Sequence, residues 1–197
     1  MMIALTRKEK EIALMIFKDL TTSYNANSIS KEVGMTRVGA YKALKSLEKT
    51  GILESQRLGK AIFYKPKLND KYAIKNIELF IMEEAKQKIR WQNEFKDLFP
   101  LSEVVILFGS ILKSEEKAND IDLLIILKPK NNKQINQIIG LKNQILTKRI
   151  HAIKQTREDF IKNIKKQDKV ILSAIKEGVI LSGVEKFVGI IKNATNR

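Results

Sequence analysis

The sequence predicts an α+β protein: a helical N-terminal domain with a β-hairpin, a long linking helix, and a mixed α/β C-terminal domain. Three observations predict it. Residues 1–66 place helix-spaced apolar residues ahead of two short alternating runs. Residues 67–99 carry apolar residues at helical spacing with no Gly or Pro between them. Residues 100–197 open on an apolar strand, Val104 to Phe108, and a second strand follows that carries carboxylates.

In the first region, Thr6 followed by Glu9 is a capping box, because each side chain can satisfy the other residue's free N–H. It opens a helix to about Leu20, with Ile12, Met15 and Ile16 on its apolar face. A short helix over Ser28–Val33 ends at Gly34, a residue suited to a left-handed cap. Thr36 starts the next helix, which runs to Thr50 and closes at Gly51. Its expected inward residues are Val38, Tyr41, Leu44 and Leu47, leaving Arg37, Lys42, Lys45 and Lys49 outward. The period then switches to short strands, Ile52–Gln56 and Ala61–Tyr64, turning at Leu58-Gly59-Lys60.

Residues 70–99 read as one long helix stopped by Pro100. Its apolar surface, with Ile74, Ile77, Phe80, Ile81, Ile89, Phe95 and Leu98, must pack on a neighbouring domain or on a twin helix in a homodimer. Trp91 and Phe95, one turn apart, read as core. The tail predicts two helices. The first is capped at Thr156, with Glu158 and Asp159 in its acidic first turn, and the second covers Val170 to Ile180. Lys128, Lys130 and Lys133 read as a solvated loop after the carboxylate strand.

Composition narrows the function. No apolar run approaches the ~20 residues that span a bilayer, and charged residues from Arg7 to Glu11 come too early for a secretion signal. The chain has no cysteine and a single histidine, which excludes disulfides and thiolate zinc sites. A cytoplasmic protein is the expectation. Lys and Arg number 37 against 22 Asp and Glu, a net charge of +15. Such a surface attracts polyanions, nucleic acid foremost.

The most informative stretch is Phe108-Gly109-Ser110 followed, nine residues on, by Asp120-Ile121-Asp122. Side chains at i and i+2 of a strand leave the same face, roughly 7 Å apart. Two carboxylates so placed repel unless a cation lies between them, and Mg²⁺ takes oxygen ligands and carries nucleotide phosphates with it. Gly109 lets backbone approach a phosphate, and the Ser110 hydroxyl can donate to it. These parts describe a site for a nucleoside triphosphate with a divalent ion, Mg²⁺ or Mn²⁺, beside Asp120 and Asp122.

The arrangement resembles the nucleotidyltransferase superfamily, in particular its minimal nucleotidyltransferases, over about residues 100–185. Their signature is an apolar residue, Gly and Gly or Ser, a short spacer, then Asp-apolar-Asp or Glu. The resemblance implies that Asp120 and Asp122 are the catalytic carboxylates that bind the metal–triphosphate, and that a third carboxylate on the strand Arg149–Lys154 completes a second metal site and helps deprotonate the acceptor hydroxyl. That acid is missing, since no Asp or Glu lies between Asp122 and Glu158. Strand alternation lets only one of His151 and Ala152 face Asp122, and His151 is the favoured one.

Residues 5–66 resemble the winged helix-turn-helix DNA-binding unit of MarR- and ArsR-like regulators. The likeness is carried by Ile29–Thr36 and by Leu47-Glu48-Lys49-Thr50-Gly51-Ile52-Leu53. It implies double-stranded DNA as a partner. Thr36 and Arg37 would stand at the base edges, with Lys42 and Lys45 at phosphates and Arg57 and Lys60 on the wing.

Three readings follow. The first is a DNA-binding transcription regulator whose second domain binds a metal–NTP with weak or lost transfer activity. The second is an active nucleotidyltransferase moving NMP to a protein or small-molecule hydroxyl. The third is a protein-interaction scaffold that binds no DNA. The paired aspartates favour nucleotide binding over the scaffold, and the missing acid favours the first reading over the second.

Overall fold

In a computed structural model describing residues 5–195, the described residues divide into two compact units, 5–80 and 81–195. Residues 1–4 and 196–197 of the expected domain spans lie outside the described residues.

The first unit begins with α1 (Arg7–Lys18), which carries the expected capping box. The Thr6 N–H donates to Glu9 Oε2 at 2.7 Å, and the Glu9 N–H donates to Thr6 Oγ1 at 3.2 Å. Helix α2 (Ala26–Glu32) is capped by Asn25, whose side chain accepts from the N–H groups of Asn27 and Ser28. The chain turns through Gly34 at φ +63° into α3 (Arg37–Lys49), where Thr36 Oγ1 accepts from the Gly39 N–H. A hairpin follows, β1 (Leu53–Leu58) and β2 (Ala61–Pro66), antiparallel with Leu58 opposite Ala61. Helices α1 and α3, the hairpin and Tyr24 enclose a core of Ile12, Phe17, Leu44, Leu47, Ile52 and Tyr64. The hydroxyl of Tyr24 donates to buried Asp19. Three helices and a hairpin in this order form a winged helix-turn-helix.

One face of α3 differs from expectation. Val38 and Tyr41 are 64% and 48% exposed, while Ala40 and Ala43 are buried with Leu44 and Leu47. Positions 40, 43, 44 and 47 share one helical stripe, and alanine there lets α1 and α2 approach closely. The larger side chains at 38 and 41 draw a hydrophobicity count onto the wrong stripe.

The single helix expected over 70–99 is three helical segments. Helix α4 (Lys71–Lys86) ends in i→i−3 bonds, from Gln87 N to Glu84 O and from Lys88 N to Ala85 O. Then come α5 (Ile89–Phe95) and a 3₁₀ turn over Lys96–Leu101 that contains Pro100. The division between units falls inside α4.

The second unit is built on a four-stranded sheet in the order β5-β4-β3-β6. Strand β3 (Ser102–Phe108) runs antiparallel to β4 (Asp120–Leu127) and to β6 (Val179–Ser182). Strand β5 (Arg149–Gln155) is parallel to β4, and that pairing demands a crossover. The crossover is α6 (Asn132–Ile145), which takes in Lys133, one of the three lysines expected to form only a loop. Ile121, Leu123, Ile125 and Leu127 share one core with Trp91, Phe95, Leu98, Ile135 and Ile139. The rings of Trp91 and Phe95 stack with centroids 6.0 Å apart. Leu124 and Ile126 alternate with that row, so they point to the other face, where α7 (Arg157–Lys165) packs on β4. On the same face α8 (Lys169–Glu177) and α9 (Val184–Thr195) pack on β3. Cover on both faces explains the unbroken apolar run Leu123–Leu127.

The tail therefore holds three helices and a strand where two helices were expected. The apolar pattern from Val170 to Ile180 breaks at Gly178, where an added Cβ would collide with Ala174 O and the Ile106 side chain. The chain passes too close to β3 there for the helix to continue.

Candidate functional site

Strand β4 starts at the site, and its alternation decides which residues meet. Ile121 points into the α5–α6 core, so Asp120 and Asp122 leave the opposite face at the strand's N-terminal end. Phe108 pairs with Asp122 across β3, and Gly109 follows at φ +82°. A Cβ built on Gly109 would overlap Asp122 Oδ2, so only glycine lets the turn pass over that carboxylate. Exposed Ser110 then opens a one-turn 3₁₀ segment to Leu112, with the N–H groups of Lys113 and Ser114 returning to Ser110 O.

The parallel register brings His151 opposite Asp122 and Arg149 opposite Asp120. His151 Nδ1 lies 3.8 Å from Asp120 Oδ2 and 3.9 Å from Asp122 Oδ1. One ligand atom from each of Asp120, Asp122 and His151 falls within 4.8 Å of the others. Burial pushes the Asp122 carboxyl above its ordinary pKa; the Asp120 carboxylate adds to the rise, and His151 offsets part of it. Two carboxylates and an imidazole, with the more buried acid resisting ionisation, are a donor set that fits a divalent cation.

Glu158 and Asp159 lie in the first turn of α7, where Thr156 Oγ1 accepts from the Asp159 N–H, so they serve that helix end. Sequence reasoning passed over Arg149 by searching the strand for acids alone. Strand alternation, the argument that placed His151, was the signal that could have found it.

In the first unit, Arg37 is exposed on α3 and its Nη2 donates to Asn27 Oδ1 at 3.0 Å. Lys42 is exposed, whereas Lys45 is paired with Glu48 at 2.7 Å, a bond that raises the Lys45 pKa. On the hairpin, Arg57 Nε donates to Gly59 O at 3.3 Å, and Lys60 is exposed at the turn. Thr36 spends its hydroxyl on the helix cap. Val38 and Tyr41, assigned to the core by sequence, add apolar surface between Arg37 and Lys42. No helix among the described residues is long and apolar enough to cross a membrane.

No curated protein matches the chain. Among solved structures, it is similar to Lactococcus lactis ZitR (C30S mutant) at 11% identity and TM-score 0.38, over 74% of this chain and 79% of that one. It is similar to the adhesin competence repressor AdcR from Streptococcus pyogenes at 12% identity and TM-score 0.37, over 73% and 83%. At that level the likeness is loose, and the fold of the first unit rests on its own elements. Residues 92–181 match the family model described as polymerase beta, nucleotidyltransferase, and with this match the C-terminal part of the chain is a nucleotidyltransferase-fold domain.

Proposed function

We propose that this protein is a DNA-binding, regulator-like protein whose nucleotidyltransferase-fold domain binds a metal–NTP and transfers nucleotide weakly or not at all. The carrying observation is the register that sets His151, rather than an acid, opposite Asp122. Asp120 and Asp122 would hold Mg²⁺ or Mn²⁺, which supplies positive charge at the phosphates. Gly109 and Ser110 would face the phosphates with backbone and hydroxyl. Without a third carboxylate, the site lacks the group that completes a second metal site and takes the acceptor proton. Exposed Arg37, Val38, Tyr41 and Lys42 on α3, with exposed Arg57 and Lys60 on the hairpin, supply basic and partly apolar side chains suited to duplex DNA. Such a protein works in the cytoplasm, and MarR- and ArsR-like regulators are the family that the first unit resembles.

Active nucleotidyl transfer to a protein or small-molecule hydroxyl is the second reading. It is favoured by the intact same-face aspartate pair and by an imidazole standing where the acid is missing.

One experiment separates the two. The full-length protein is incubated with each labelled NTP and Mg²⁺ or Mn²⁺, with and without cell extract. Binding without transferred label supports the first reading. Label transfer that disappears in Asp120→Ala supports the second, and absence of nucleotide binding overturns both.

A further inference from the structure

We propose that Asp120, Asp122 and His151 form a mixed carboxylate–imidazole site that takes a first-row transition-metal ion, Co²⁺ ahead of Mn²⁺, over Mg²⁺. This rests on the metal–NTP reading and names the metal that it uses.

His151 lies within reach of an ion held by either aspartate, and the three ligand atoms fall inside 4.8 Å of one another. Metal–ligand bonds of about 2.0–2.1 Å allow two donors of a single ion to lie up to about 4.2 Å apart. His151 Nδ1 meets that limit with both aspartates, at 3.8 and 3.9 Å. The three residues stand on hydrogen-bonded parallel strands, with Asp122 and His151 in register, so backbone pairing sets their spacing. The His151 side chain is 75% exposed and that of Asp120 38%, which leaves room for water or phosphate oxygens to complete the shell.

The chemistry then chooses the ion. Mg²⁺ demands near-octahedral oxygen and sheds water reluctantly. An imidazole nitrogen adds little for Mg²⁺, whereas affinity for nitrogen donors rises along the first-row divalent series. The simpler account is an imidazolium drawn to two carboxylates as a counter-charge, with no role in coordination. It predicts no metal–nitrogen bond.

The chain has a single histidine, so a metal–nitrogen bond to imidazole has one possible source. The test uses the full-length protein free of any histidine tag. Pulsed electron paramagnetic resonance on bound Mn²⁺ reads ¹⁴N modulation, and calorimetry compares Mn²⁺, Co²⁺ and Mg²⁺. The expected result is nitrogen modulation in the native protein that is lost in His151→Ala. That substitution should cost Mn²⁺ and Co²⁺ about tenfold in affinity and leave Mg²⁺ nearly unchanged. His151→Asp should shift the preference back toward Mg²⁺. Mn²⁺ bound without nitrogen modulation, with nucleotide binding intact, would overturn this inference and leave the metal–NTP reading standing. Failure to bind Mn²⁺, Mg²⁺ and NTP together would overturn both.

Discussion

Gly109 is the residue on which the approach to the site depends. Its φ of +82° is costly for an L side chain, and the position of a Cβ is already occupied by Asp122 Oδ2. Gly109→Ala should therefore displace the carboxylate while leaving the sheet folded. Metal–NTP affinity should fall at least tenfold, about 1.4 kcal/mol, with an unchanged far-ultraviolet circular dichroism spectrum. Calorimetry on the variant checks this, and undiminished affinity would mean that the turn has no part in binding. Gly109, Asp120 and Asp122 were legible in the sequence because their spacing is local. His151 was reached by strand alternation and Arg149 lies two residues before it on the same face, but the register that sets them opposite Asp122 and Asp120 is stated by no local pattern.

Among the elements, α3 and the hairpin carry the proposed DNA surface, and its charges are unequal. The Lys45 ammonium is held by Glu48, whereas Lys42 and Lys60 are exposed and unpaired by any salt bridge among the described residues. Each neutralised phosphate contributes a slope of about −0.9 in log K against log salt. Lys42→Ala and Lys60→Ala should each shrink the slope by roughly one unit, and Lys45→Ala by less. Fluorescence anisotropy of duplex DNA across a salt series, with full-length protein, decides it; equal effects from all three would mean that Lys45 leaves Glu48 on binding.

Glu48 also gives α3 a pH dependence. Bonds from Lys45 and Ser55 hold its pKa below the ordinary value of 4.5. A carboxyl lowered in the fold stabilises above its unfolded pKa, and that contribution is lost as pH falls through the folded value. Glu48→Gln should thus cost about 1 kcal/mol near neutral pH, with the gap to the native protein closing in acid. Denaturant titrations at several pH values measure this; a gap independent of pH would place the effect in packing.

For the molecule as a whole, strands with strong local patterns were readable and tertiary breaks were not. Strands β3 and β4 announce themselves as apolar runs, whereas β5, with Arg149, His151, Lys154 and Gln155, was placed by the family pattern rather than by its own residues. Helix α6 hides because it is rich in Asn, Gln and Lys and carries Gly140, all of which read as loop. The break between α4 and α5 has no Gly or Pro to signal it, and Trp91 and Phe95 of α5 are buried in the core under the sheet. The end of α8 likewise follows from Gly178 pressing on β3, a neighbour far away in sequence.

The strand order also bears on synthesis. Strand β3, with Val104, Val105, Ile106 and Leu107 fully buried, sits between β4 and β6, and β6 is the last strand to leave the ribosome. At roughly 5–20 residues per second, the nascent chain shows that apolar edge unpaired for several seconds. An open edge of this kind recruits other chains. A polypeptide cut after Gly178 keeps both aspartates and His151 but never gains the closing strand. It should sediment as aggregate on expression where the full chain stays in the supernatant, whereas a soluble monomer would show that β3 needs no such cover.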